Sequence, residues 1–274
     1  MIKTSLSNGN LQEPRVQAHL VDGELKNTVD LYLCDSIDST NDFVMSRVHR
    51  FLDGYLVCVA NHQTHGRGRN GRQWQSPENS NIYMSVGFQM TEVSASSLSG
   101  LSLACGVSIA NVVNGLGVLP QLKWPNDILV LGKKLAGVLI ETRFKGPELS
   151  VVIGLGLNVS MSDKAATLID QPWTDLHSND VSLSDGHDNN WLVAQLILSL
   201  VETCNIYKRD GIQPFLKDWS KYDILKGQDV LVQANGEEDR ARVIGLNNDC
   251  SLRVEVGGCE KNIYAADVKI KLHK

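Results

Sequence analysis

Positive charge is scarce in this chain, and long apolar runs are scarcer. Lys and Arg number 26 against 31 Asp and Glu over 274 residues, a formal net charge of −5. A general nucleic-acid or anionic-membrane surface is therefore excluded unless cations are concentrated in one place. No apolar stretch approaches the roughly 18 residues that a membrane-spanning helix needs. The first ten residues, MIKTSLSNGN, lack the apolar centre of a signal peptide, so a cytoplasmic protein is expected. The six cysteines (34, 58, 105, 204, 250 and 259) show no C-x-x-C and no histidine at metal-ligand spacing. Several lie inside runs such as LVCVA, where Cys acts as a small hydrophobe. This speaks against structural zinc and a disulfide framework.

The patterning that is present implies an α+β fold: a mixed, largely antiparallel sheet flanked by helices, then a small C-terminal β-barrel. Residues 1–28 are polar with no clear helical period and form an N-terminal arm. DLYLCD (30–35) and YLVCVA (55–60) read as strands. Between them DSIDSTND supplies capping chemistry for a helix whose Val44, Val48, Phe51 and Leu52 share a stripe. NIYMSVGFQM alternates as a strand with one buried face does. Residues 98–117, rich in small apolar residues, read as a helix packed closely on the sheet. LKW, DILVLGKKLAGVLIETRF and LSVVIGLGLNV are strands on tight turns, which means antiparallel pairing, because parallel pairs need a crossover of about a dozen residues. Residues 160–189 form a polar loop region, WLVAQLILSLVETC is a periodic helix, and a short helix covers Phe215–Trp219. From Lys226 the texture changes to short strands (QDVLVQ, RARVIGL, CSLRVEV and NIYAADVKI) separated by turn residues. The expected units are residues 29–223 and 226–274. No internal repeat or low-complexity segment appears.

Four stretches carry chemistry. QTHGRGRNGRQW (63–74) concentrates arginines on a glycine-rich backbone between two apolar strands. Glycine permits close approach and positive φ, and arginine offers planar, permanently charged donors to carboxylate or phosphate. In a chain this acidic, such a loop suits a small anion rather than a polyanion. KWPNDILV (123–130) sets Lys, Asn and Asp at a strand–turn junction, where by itself ordinary turn chemistry would explain it. GKKLAGVLIE (132–141) starts an apolar strand with two lysines. GLGLNV (154–159) is a glycine-rich strand end and not a dinucleotide motif, since no helix opens after it.

In this order, together with DSTN at 38–41, these stretches resemble the biotin protein ligases, also called biotin–[acetyl-CoA-carboxylase] ligases. The signature is DSTN before a helix, GRGRNGRQW (66–74), KWPND (123–127), KLAG (134–137) and GLGLN (154–158), followed by an SH3-like barrel. The likeness spans residues 28–274. It implies a class II synthetase-like catalytic domain that joins biotin to ATP as biotinyl-5′-AMP and transfers biotin to a lysine of a biotin carboxyl carrier domain. By this resemblance Ser39, Thr40, Asn41, Gln63, Arg67, Gly68, Arg69, Lys134 and Gly137 bind biotin. Arg67, Arg69, Arg72, Trp74, Lys123, Asn126 and Asn158 bind ATP or the adenylate. Arg69, Lys134 and Asp127 are catalytic, and Asp127 also meets Mg²⁺. The arginine loop would close over the intermediate. Asn70 stands where a second basic residue is common in the family.

Many bacterial members carry an N-terminal winged helix. The segment before the first matching strand is too short for one, so no DNA binding is expected, and no membrane partner. A homodimer paired through the sheet edge is compatible with the likeness. The rival expectations are a lipoate or octanoate protein ligase, and a non-catalytic biotin sensor.

Overall fold

Turn length and turn chemistry decide how the strands pair. The structure, a computed structural model, describes residues 11–20, 28–51, 53–91, 98–161, 167, 169–183, 187–234, 237–265 and 268–272. The larger sheet holds β1 (Val29–Cys34), β2 (Tyr55–Ala60), β3 (Asn81–Thr91), β4 (Gln121–Lys123), β5 (Asp127–Val130), β6 (Lys133–Lys145) and β7 (Glu148–Asn158). Their order is β1-β2-β3-β7-β6-β5-β4. Only β1 and β2 run parallel; the other pairs are antiparallel. The β5–β6 turn puts Leu131 (φ 50°) and Gly132 (φ 73°) in succession, the backbone that matches the twist of a tight hairpin. Residues 35–54 are long enough for a crossover and carry α2 (Thr40–Met45), so the first pair can be parallel.

The two faces of this sheet are covered differently. On one, Val57, Val59, Ile82, Met84, Val86, Phe88, Ile153 and Leu155 join the main core with α3 (Leu101–Gly115), α4 (Asn189–Asp210) and α5 (Gln213–Tyr222). On the other, Leu56, Cys58, Ala60 and Val152 pack with Val44, Met45 and Val48 beneath α2. Each such Val or Leu contributes about 1.5–3 kcal/mol when fully buried. The single buried face expected for β3 is corrected here: Asn81 to Gln89 are buried throughout. α2 lies so close that a Cβ on Gly87 would come within 2.2 Å of Val44 Cγ1.

Three other expectations change. The helix after DSTN is shorter than its stripe suggests: α2 ends at Met45 and a separate 3₁₀ turn covers Val48–Arg50. Leu52 lies outside the described residues. The N-terminal arm contains a helix, α1 (Glu13–His19), with Leu11, Val16 and Leu20 buried. At seven residues it is too short to show a period, and it is held from outside, by an Arg15–Asp188 ion pair (2.5 Å) and by Gln12 N donating to Asn190 Oδ1 (2.7 Å). The C-terminal part forms a separate antiparallel sheet of five strands rather than four. These are β8 (Asp229–Ala234), β9 (Glu237–Leu246), β10 (Leu252–Val256), β11 (Cys259–Ile263) and β12 (Val268–Leu272), in the order β11-β10-β9-β8-β12. NIYAADVKI supplies the end of one strand and the start of the next.

Candidate active site

The register of the larger sheet builds the floor. Lys123, Asp127, Gly137, Gly156, Tyr83 and Ala60 are successive cross-strand partners. The neighbouring row on the same face runs Leu139, Gly154, Ser85, Cys58. Glycine at 137, 154 and 156 removes side chains from the middle of this face, and two groups fill the trough. A Cβ on Gly156 would sit 2.3 Å from the Trp74 indole, and one on Gly154 would sit 2.3 Å from Asn41 Oδ1. At Gly137 it would meet both Lys134 Nζ and Trp74 at 3.2 Å.

The arginine loop is an ordered hairpin. Arg67 pairs with Gln73, Gly68 N donates to Arg72 O (2.7 Å) and Trp74 N donates to Gly66 O (2.9 Å). Its tip places Asn70 (φ 56°) and Gly71 (φ 69°) in the left-handed region. Asn is one of the few non-glycine residues that enters this region readily, which suits it to the hairpin tip. The three arginines then diverge. Arg67 Nη2 donates to Asp42 Oδ1 (2.7 Å) and Glu141 Oε2 (2.8 Å). Arg69 donates to Asn126 Oδ1 (3.2 Å) and to the carbonyl of Ala265. Arg72 has no ion-pair partner among the described residues and borders two cavities. One, of about 390 Å³, lies between the hairpin and Leu139 and Glu141. The other, of about 290 Å³, is bounded by Trp74, Lys134, Asn158, Asp170 and Trp173.

Lys134 sits where these pieces meet. Its Nζ is 2.6 Å from Asp127 Oδ1 and 5.2 Å from the centre of the Trp74 ring. Its backbone is bracketed by Pro172 O and Thr174 N (both 2.9 Å). Asn158, buried, donates to the carbonyls of Thr174 (3.0 Å) and Lys134 (3.4 Å). Asn158 thus braces the segment that carries Trp173 while it lines the cavity.

The DSTN stretch forms a buried polar patch. Ser39 caps α2 by accepting from Asp42 N (3.4 Å). Thr40 donates through N and Oγ1 to Gln63 Oε1 (2.9 and 3.1 Å), and Gln63 Nε2 donates to Ser76 Oγ (3.2 Å). Ser85 Oγ, with one proton, serves Thr40 Oγ1 (2.8 Å) or Asn41 Oδ1 (2.5 Å), and Asn41 Nδ2 donates to Glu141 Oε2 (2.7 Å). Buried polar groups require such partners, so a ligand that enters must replace these bonds or add to them.

The sequence-predicted residues therefore converge from five segments onto one face. Glu141, Asp42, Ser85, Asp170 and Trp173 were missed. Glu141 ends the GKKLAGVLIE stretch, and Trp173 was available as a lone aromatic in a polar region (QPWTDL). Among the described residues no group of three His, Cys, Asp or Glu converges as a metal cage.

Residues 33–158 match the Biotin/lipoate A/B protein ligase family. Over 237 residues the chain is 33% identical to the bifunctional ligase/repressor BirA of Salmonella typhimurium, covering 86% of this chain and 72% of that protein. Over 225 residues it is 33% identical to the biotin–[acetyl-CoA-carboxylase] ligase of Mycobacterium tuberculosis, covering 79% of each. The biotin protein ligase from Aquifex aeolicus in complex with biotin and ATP shares the fold, with a TM-score of 0.72 and 22% identity over 89% of this chain and 99% of that one.

Proposed function

The chain belongs to the biotin protein ligases, and from that premise we propose how its own residues activate biotin with ATP and pass it to a carrier lysine. The biotin carboxylate attacks the α-phosphorus of ATP, giving biotinyl-5′-AMP and pyrophosphate. The ε-amine of a lysine on a biotin carboxyl carrier domain then attacks the acyl carbon and AMP leaves. Two anions must meet in the first step, and their repulsion grows as water is excluded. Fixed cations aimed at the developing charge are the remedy.

Lys134 bridges the biotin carboxylate and the α-phosphate, with Arg69, Arg72 and Lys123 on the phosphates. Trp74 stacks on the adenine, and Asn126 and Asn158 hold the nucleotide. Ser39, Thr40, Asn41, Gln63 and the backbone at Gly68 and Gly137 present donors and acceptors to biotin's neutral ureido ring. Asp127 orients the incoming amine. The observation that carries this reading is the meeting of Lys134, Asp127 and Trp74 over Gly137, on a cavity that Arg72 shares with the hairpin. Magnesium fits as the companion of ATP. Asp127 and Asn126 offer oxygen donors without a cage, and Mg²⁺ is commonly held by one or two carboxylates plus phosphates. When bound it neutralises phosphate charge. The net charge of −5 and the inward engagement of Arg67 and Arg69 support a site for small anions without DNA, and the six free cysteines suit the cytoplasm.

The test is incubation with ATP, Mg²⁺, labelled biotin and a carboxyl carrier domain. Label appears on the carrier, and Lys134→Ala or Arg69→Ala lowers the rate of adenylate formation about 10²–10³-fold. Octanoate in place of biotin on the carrier, or binding of biotin without transfer, overturns the assignment.

A further inference from the structure

Arg67 of the hairpin is bound by carboxylates, and it is bound by two. Both protons of its Nη2 are committed, one to Asp42 Oδ1 at 2.7 Å and one to Glu141 Oε2 at 2.8 Å. The same Glu141 oxygen accepts from Asn41 Nδ2 at 2.7 Å. Glu141 therefore joins the start of α2, the base of the hairpin and β6 through a single atom. Its side chain is 30% exposed and forms part of the wall of the cavity beneath the hairpin. A carboxylate in that wall faces the space in which, on the biotin-ligase reading, anionic substrates sit. Left unpaired there it would repel them, and partial burial would strengthen the repulsion.

We propose that Glu141 is a positioning residue for the biotin half of the site: it fixes Asn41 and Arg67, and Arg67 in return masks its charge. Arg67 then belongs to the frame of the pocket and not to the groups that capture the substrate anion. The inference rests on the reading above and assigns Glu141 a role through its neighbours, with no contact to the reacting atoms.

This has a consequence that mere support of the fold lacks. Glu141→Gln keeps the side chain's volume and an acceptor oxygen but removes one of the two charges that hold Arg67. It is expected to raise KM for biotin about tenfold with kcat and KM for ATP nearly unchanged. Arg67→Ala unmasks Glu141, so its KM for biotin rises further, and the defect shrinks between 0.01 M and 1 M salt as the repulsion is screened. Adding Glu141→Gln to Arg67→Ala removes the unmasked charge and lowers KM for biotin about threefold or more relative to Arg67→Ala alone.

The experiment is steady-state and single-turnover adenylation on these three variants and the wild type, with thermal melts alongside. Wild-type kinetics in Glu141→Gln overturn the proposal. So does a double variant whose defect is the product of the two single defects, or an Arg67→Ala defect indifferent to salt. Wild-type protein that makes no biotinyl adenylate refutes the ligase reading itself, which separates the two failures.

Discussion

At position 156 the absence of one methyl group decides where an indole rests. A Cβ there would stand 2.3 Å from Trp74, and the neighbouring contacts at 2.6 Å are ring atoms as well, so the ring must leave. Gly156→Ala is expected to cost about 1–3 kcal/mol of stability through overpacking. By displacing Trp74 it should raise KM for ATP more than KM for biotin. Gly154→Ala, which strikes the Asn41 amide instead, should do the reverse. Initial rates with each substrate varied in turn check both, and equal effects on the two constants would refute the division of the trough. GLGLN made the spacing legible, since residues two apart on a strand share a face. What the glycines make room for was not legible, because Trp74 and Asn41 arrive from distant segments. The dual engagement of Arg67 was hidden for the same reason: two of three similar arginines cannot be told apart until their partners are folded around them.

Among the elements, the long ones declared themselves and the short ones did not. The stripe of α4 gave the helix, and its ends are set by Asp188, whose side chain accepts from Asn190 N and Trp191 N, and by Gly211 with φ 64°. α1 and the shortened α2 depend on neighbours, which local pattern does not encode. The cap at Asp188 also anchors α1 through Arg15 at 2.5 Å. Asp188→Ala is therefore expected to cost about 1 kcal/mol or slightly more, the usual loss of a helix cap. The expected consequences are a lower denaturant midpoint and faster amide exchange over residues 11–20. An unchanged midpoint would mean that α1 is held without the Arg15 pair, by its buried Leu11, Val16 and Leu20 and the Gln12–Asn190 bond.

Across the whole molecule, the junction of the two sheets was the least legible feature, because its bonds run between a strand-end tryptophan and carbonyls that any sequence would supply. Trp124 Nε1 donates to Cys250 O at 3.0 Å, and the Cys250 thiol and Ile212 both lie against Gly100. Burial pushes this thiol up to about 11, and burial pushes that of Cys204 up to about 12, each from an ordinary value of 9.0. Thiols raised on folding contribute stability that is complete below the unfolded value and lost as pH climbs toward the folded one. The protein should weaken from about pH 9 upward, as the unfolded chain sheds protons that the folded one keeps. Lys208, lowered by burial, opposes this, gaining stability with pH. Comparing wild type with Cys250→Ala cancels that opposing part. Urea midpoints from pH 7 to 10.5 should fall less steeply in the variant, and parallel curves would show that the junction thiol does not titrate on unfolding.

The bond from Arg69 to the carbonyl of Ala265 spans most of the chain. Proteins emerge from the ribosome N-terminus first, so a nascent polypeptide lacks one of the oxygens holding this guanidinium until residue 265 has been made. That contact of the arginine hairpin therefore forms only after nearly the whole chain has been synthesised.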